Sequence, residues 1–272
     1  MGYLTTETKK ITVKTFLEMK RNGDKIAMLT AYDFTTAQLI DEAGIDSILV
    51  GDSASNVMLG HDSTLPITMD EMIVFARGVA RGSHRALVVC DMPFGSYQVS
   101  AEEAVRNAVR LVQETGVDAV KLEGGETIVP TIRRIVDAGI PVIGHLGLTP
   151  QSVNKFGGYG VRARSEAEKF KLNADAKALE RAGCFAIVLE KIPATLARLV
   201  TAELKIPTIG IGAGSGCDGQ VLVYADAMGM TQGFKPKFLR HFASVGETLR
   251  QGVAAYSAAV KGKEFPNESE SY

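Results

Sequence analysis

Val120-Lys121-Leu122-Glu123 is a short apolar run into which two opposite charges are set two residues apart. In a β-strand, residues i and i+2 share a face, so Lys121 and Glu123 point the same way. Charges on an inward face persist only when they are paired, bound to a metal or kept in wet surroundings. The chain repeats the device on both sides. Ser47-Ile48-Leu49-Val50-Gly51-Asp52 and Leu87-Val88-Val89-Cys90-Asp91 precede it, and Val142-Ile143-Gly144-His145 and Ile187-Val188-Leu189-Glu190 follow it. Each apolar run ends in an ionisable residue. If every run is a parallel strand, these residues emerge together at the C-terminal rim of one sheet, the side on which α/β enzymes keep their chemistry.

Strands are expected near residues 26–30, 47–51, 86–91, 119–123, 141–145, 185–190, 207–211 and 221–226, with longer amphipathic segments between them. That alternation calls for a parallel sheet. Eight strands predict an α/β fold, a (β/α)₈ TIM barrel, as a single domain over residues 1–272. An extra N-terminal helix over Val13 to Arg21, with Phe16, Leu17 and Val13 on its apolar face, is expected to plug the barrel bottom. Helices run through glycine almost directly into the next strand, as at Ala43-Gly44-Ile45 and Ala182-Gly183-Cys184, so those connections are short. The stretches after Asp52 and His145 are much longer, roughly 15 to 20 residues, and exceed an ordinary connection. The long loops therefore share the rim with the ionisable residues. Residues 261–272 are polar, contain Pro266 and read as a flexible tail.

A 46% hydrophobic composition supports a substantial core, and a net charge of -1 without a basic stripe excludes nucleic acid as a partner. No apolar stretch is long enough to span a bilayer, and Met1 to Lys14 lacks the apolar centre of a signal peptide. Cys90, Cys184 and Cys217 are odd in number and widely spaced, which reads as buried free thiols in a reducing compartment. The expected setting is cytoplasmic, with no membrane partner.

At the rim, Asp52, Asp91 and Glu123 without a cysteine or histidine cluster suit a hard cation. Mg²⁺ takes few carboxylates, keeps several waters and leaves positions for an oxygen-rich substrate. Zinc fits less well, since His61, His84, His145 and His241 form no ligand pair at helical or hairpin spacing. His84 reads as a surface turn residue and His241 as a helix residue. The glycines of Phe156-Gly157-Gly158-Tyr159-Gly160, following His145, suggest a mobile lid. Ile209-Gly210-Ile211-Gly212-Ala213-Gly214 lacks the full spacing of a dinucleotide fingerprint and reads as a tight turn or a close approach to a ligand.

Six ordered blocks carry a resemblance. They are Gly51-Asp52-Ser53; Leu59-Gly60-His61-Asp62-Ser63-Thr64-Leu65-Pro66; Asp91-Met92-Pro93-Phe94-Gly95-Ser96-Tyr97; Lys121-Leu122-Glu123-Gly124-Gly125; Gly144-His145-Leu146-Gly147-Leu148-Thr149-Pro150-Gln151; and Ile209 to Gly214 with Cys217 to Val223. Together they resemble the 3-methyl-2-oxobutanoate (ketopantoate) hydroxymethyltransferase family over about Thr12 to Tyr256. The resemblance implies a (β/α)₈ barrel assembled as a homo-oligomer, commonly a decamer. It implies transfer of a one-carbon unit from 5,10-methylenetetrahydrofolate to 3-methyl-2-oxobutanoate, giving 2-dehydropantoate in pantothenate synthesis. By the same resemblance Asp52 and Asp91 ligate Mg²⁺, with Glu123 completing the acidic site, and Ser53 and Lys121 contact the oxo-acid carboxylate. Glu190 resembles the general base and His145 a polar partner in the substrate pocket. Ala54-Ser55-Asn56, Gly160, Arg162 and Tyr224-Ala225-Asp226 depart from the usual family pattern, and none is an implied ligand. Enzymes of the phosphoenolpyruvate mutase and isocitrate lyase type are the nearest alternative, but no Lys-Lys-Cys-Gly-His run is present. A noncatalytic oxo-acid-binding barrel is a second alternative.

Overall fold

In the computed structural model of the chain, eight parallel strands close into one barrel in sequence order. They are β1 (Ile26–Thr30), β2 (Ser47–Val50), β3 (Leu87–Asp91), β4 (Ala119–Glu123), β5 (Val142–Gly147), β6 (Ala186–Glu190), β7 (Thr208–Ile211) and β8 (Gly219–Leu222), and β8 pairs with β1. The structure describes residues 9–231, 233 and 235–272. The first eight residues of the Met1 to Lys14 segment lie outside them. The chain divides into two compact units, Met1–Leu222 and Val223–Tyr272, and the barrel belongs entirely to the first.

Strands covered on both faces need apolar residues at every position rather than at alternate ones. Accordingly β2, β3 and β4 are buried throughout, Lys121 and Glu123 included. The helices Phe34–Glu42, Met69–Gly82, Ala101–Thr115, Val129–Asp137, Glu166–Ala182 and Ala194–Glu203 connect successive strands from β1 to β7. Their starts follow local side-chain chemistry. Thr68 and Glu71 form a reciprocal capping box ahead of Met69–Gly82, and Asp33, Ser100 and Ser165 each accept a backbone N–H of the first turn.

The expected N-terminal helix is present as Val13–Asn22, capped by Thr12. Phe16 is fully buried and meets Phe185 edge to face at 5.8 Å, within a cluster of Ile26, Met28, Leu87, Ala119 and Ala186. These residues lie toward the strand starts, so the helix closes the barrel opposite the rim. Val13 and Met19 pack beside Phe16 on that cluster, and Leu17, one turn on from Val13, is half-buried near Ile206.

The bounds of the last strand differ from the expectation. The last strand is Gly219–Leu222 rather than 221–226, and Tyr224–Ala227 is a helical turn. Gly219 decides the start: a β-carbon there would stand 2.5 Å from the carbonyl oxygen of Ile26, so only glycine lets β8 approach β1 so closely. The glycines after β7 serve a short β7 to β8 connection that carries no helix. At Gly214 (φ +81°) a β-carbon would lie 2.4 Å from Ala194, so the turn is packed tightly against the helix Ala194–Glu203.

The two long rim loops are built on short helical pieces, Ala54–Val57 in one and Pro150–Ser152 with Val153–Phe156 in the other. In the second unit, the helix Val245–Lys261 carries Val245, Leu249, Val253, Tyr256 and Val260 at helical spacing, all exposed. The expected tail contains a 3₁₀ turn, Glu268–Glu270, and His241 lies outside any helix.

Candidate active site

Parallel pairing brings the strand-end charges together. Asp91 is level with Lys121, Glu123 with His145, and Gly147 with Glu190 in the barrel register. Asp52 follows β2 by two residues and donates its backbone N–H to Asp91 Oδ2 at 3.0 Å. Asp52, Asp91, Lys121, Glu123 and His145 are each at most 6% exposed, and the Glu190 side chain is 15% exposed. The six named residues of the cluster are thus gathered in one mouth, as their order along the chain predicts.

The ion pairs form a chain across that mouth. Lys121 Nζ lies 2.8 Å from Asp91 Oδ1 and 3.2 Å from His145 Nδ1. His145 Nδ1 stands 3.3 Å from Glu123 Oε1, and its Nε2 stands 3.4 Å from Glu190 Oε2. Asp91 Oδ1, Glu123 Oε1 and His145 Nε2 are buried without a hydrogen-bond partner, although each faces an opposite charge. Ser53 lies at the edge of this group, its hydroxyl 2.7 Å from that of Tyr32. A β-carbon at Gly51 would come within 2.7 Å of Ser53 Oγ, so glycine keeps the strand end open there.

Burial and mutual repulsion set the protonation of the site. Desolvation, then the charges of Asp91 and Glu123, push the Asp52 carboxyl well above its ordinary range. Burial opposes ionisation of Glu123 as well, but His145, Lys121 and the Gln151 N–H outweigh it and hold that carboxyl low. His145 is raised to about 9: burial and Lys121 oppose its charge, and Glu123 and Glu190 override them. Lys121 is raised despite burial, chiefly by Asp91 and Glu123. Two basic side chains, Lys121 and His145, thus face four carboxyl groups in the mouth.

Two residues escape a reading based on charge. Tyr97, 1% exposed, accepts the Glu123 N–H at 3.1 Å and donates to Gln151 Oε1 at 2.7 Å. Gln151 donates its side chain to Asp52 Oδ2 and its backbone N–H to Glu123 Oε2, both at 2.9 Å. Both stand in the sequence blocks, but only the folded loops bring them against the acids. A cavity of about 360 Å³ opens beside Glu123 and Gln151, with Phe94, Phe156, Lys155 and Arg162 among its lining residues. Lys191 (φ +44°), next to Glu190, donates its ammonium to the Tyr159 carbonyl and accepts the Arg162 N–H through its own, tying down the glycine-rich loop.

Among the described residues, no three His, Cys, Asp or Glu side chains form a ready metal cage. Lys121 and His145 stand between the carboxylates instead. No described helix is long and apolar enough to cross a membrane.

Similarity to known proteins extends over nearly the whole chain. Residues 10–268 match the family model described as ketopantoate hydroxymethyltransferase. A 3-methyl-2-oxobutanoate hydroxymethyltransferase of Bacteroides thetaiotaomicron is 56% identical over 271 residues, covering 100% of this chain and 99% of its own. The enzyme of the same name from Parabacteroides distasonis is 58% identical over 266 residues, covering 98% of this chain and 97% of its own. Among solved structures, a 2,3-dimethylmalate lyase of the PEP mutase/isocitrate lyase superfamily superposes with a TM-score of 0.58 at 17% identity, covering 96% of this chain and 91% of its own. A phosphonopyruvate hydrolase in complex with oxalate and Mg²⁺ gives 0.61 at 11% identity, covering 95% and 92%. At those identities the likeness concerns the barrel alone. The full-length matches at more than half identity establish the kinship: the chain belongs to the ketopantoate hydroxymethyltransferase family of transferases.

Proposed function

We propose that this enzyme transfers a hydroxymethyl group from 5,10-methylenetetrahydrofolate to 3-methyl-2-oxobutanoate, giving 2-dehydropantoate for pantothenate synthesis, with Mg²⁺ at Asp52, Asp91 and Glu123. The observation that carries this reading is the buried, partly unsatisfied acid cluster at the rim. Asp91 Oδ1 and Glu123 Oε1 are buried and met only by the Lys121 and His145 side chains, and the mouth holds more carboxyl groups than basic side chains. A divalent cation answers both conditions. The lack of a compact three-ligand cage favours Mg²⁺, which takes one or two carboxylates and keeps waters.

The substrate proton at C3 is weakly acidic, and the bound ion supplies the Lewis-acid stabilisation that makes its removal feasible. Glu190 is the base. Its position against His145 Nε2 orients its carboxylate toward the mouth, and proton transfer from a positioned group contributes about 10²- to 10⁴-fold. Lys121 and Ser53 hold the oxo-acid carboxylate, and Lys121 also offsets charge that develops during the reaction. The enolate carbon then bonds to the folate-borne methylene as one methylene–nitrogen bond opens; water replaces the second nitrogen and supplies the hydroxyl oxygen, and tetrahydrofolate leaves with the C3 proton and one water proton on its two nitrogens. The cavity beside Glu123 is lined by Phe94, by Phe156 with the Arg162 guanidinium over its ring, and by Lys155, a mix of aromatic and cationic groups that suits a flat, acidic second substrate. The exposed apolar stripe on Val245–Lys261 supports a homo-oligomer, a decamer by family resemblance, and the free buried thiols of Cys90, Cys184 and Cys217 suit the cytoplasm.

The test is an NMR assay of the purified protein with 3-methyl-2-oxobutanoate, methylenetetrahydrofolate and Mg²⁺. A new hydroxymethyl signal is expected from the wild type and not from Asp91→Asn, with the fold of both checked by circular dichroism. A folded wild type that forms no product overturns the reading.

A further inference from the structure

Gln151 makes two hydrogen bonds to the acid cluster, one from its side chain and one from its backbone, yet it carries no charge. It sits in the turn Pro150–Ser152 and is 7% exposed. Its Nε2 donates to Asp52 Oδ2 at 2.9 Å and to the Met92 carbonyl at 3.0 Å. Its Oε1 accepts from the Tyr97 hydroxyl at 2.7 Å and from Gln98 Nε2 at 3.1 Å. Its backbone N–H donates to Glu123 Oε2 at 2.9 Å. The network decides which way the amide faces. Turned over, its NH₂ would meet the Gln98 amide, and its carbonyl would meet a carboxylate and a carbonyl, losing three of its four side-chain bonds.

One residue thereby occupies one oxygen of Asp52 and one oxygen of Glu123. Each carboxylate keeps a single oxygen that Gln151 does not claim, and Glu123 Oε1 is buried with no hydrogen-bond partner. We propose that Gln151 is a positioning residue that restricts Asp52 and Glu123 to one oxygen each toward the cation, and so sets a preference for Mg²⁺ over Ca²⁺. Ca²⁺ takes six to eight oxygens and readily fills its larger shell with carboxylates bound through both oxygens, whereas Mg²⁺ is content with single oxygens and water. The inference rests on the metal reading given above.

The test is calorimetric titration of the full-length protein with Mg²⁺ and, separately, with Ca²⁺, for the wild type, Gln151→Met and Tyr97→Phe. Methionine keeps the length of the side chain and the backbone N–H but removes both side-chain donors. Groups that orient a metal ligand are typically worth about 10- to 100-fold in affinity. Gln151→Met is expected to lose about tenfold or more in Mg²⁺ affinity and distinctly less in Ca²⁺ affinity, so that the ratio between the two ions falls. Tyr97→Phe, which removes the donor that fixes Gln151 Oε1, is expected to shift the ratio the same way by a smaller factor. A general loss of structure would weaken both ions together. If Gln151→Met does not fold by circular dichroism, Tyr97→Phe decides the matter alone. An unchanged ratio in a folded variant overturns the role of Gln151 and leaves the metal reading standing. A wild type that binds no Mg²⁺ overturns both.

Discussion

Asp41 shows what a buried carboxylate looks like when it only holds structure. It is 8% exposed and accepts the backbone N–H groups of His84, Arg85 and Ala86 together with the Ser83 hydroxyl. Burial works against its charge, but these donors prevail and hold its carboxyl below the usual range. Its contribution is therefore complete above the unfolded value near 3.8 and is lost as pH falls through the lower folded value. Asp41→Asn is expected to cost about 1–3 kcal/mol at pH 7, with the gap to the wild type narrowing below about pH 4, as read from urea midpoints at both pH values. Asp91 and Glu123 lack that enclosure of donors, and the difference separates a structural acid from a site acid. Charge at a strand end made Asp52, Asp91, Lys121, Glu123, His145 and Glu190 legible before folding. Tyr97 and Gln151 were not legible as site residues, because a neutral side chain in a loop gains its meaning only from what the loop places beside it.

At the scale of elements, the barrel explains why order along the chain sufficed. Each strand pairs with the next in parallel, so an ionisable residue at the end of an apolar run has nowhere to go but the rim. The strand interiors were readable because burial on both faces removes polar positions from them. The edges of elements were less so: the Val221-Leu222-Val223 run looks like the middle of a strand, yet the strand begins at Gly219, whose place is decided by contact with β1. The bottom helix was legible from its apolar face, with Phe16 as its buried anchor. Phe16→Ala is expected to lower unfolding free energy by about 3–5 kcal/mol, while kcat of the folded enzyme stays near the wild-type value, since Phe16 lies at the end of the barrel away from the acids. Denaturant unfolding together with a kinetic assay of the same preparation checks both halves. A comparable fall in kcat would mean that the bottom helix acts on the rim.

For the whole molecule, the barrel fixes one face for chemistry and one for closure, and four of its carboxyl groups, Asp52, Asp91, Glu123 and Glu190, share the chemical face. A buried group of acids of this kind is what a cation-assisted enolisation requires. Glu190 is proposed to take the C3 proton of a 2-oxo acid bound at the same mouth as the divalent cation. The most direct measurement of that step is deuterium exchange at C3 of 3-methyl-2-oxobutanoate in D₂O, followed by NMR without any folate. The wild type is expected to catalyse exchange only with Mg²⁺ present, and Glu190→Gln to bind the oxo acid but slow exchange by about 10²-fold or more. Exchange by Glu190→Gln at the wild-type rate would contradict the account.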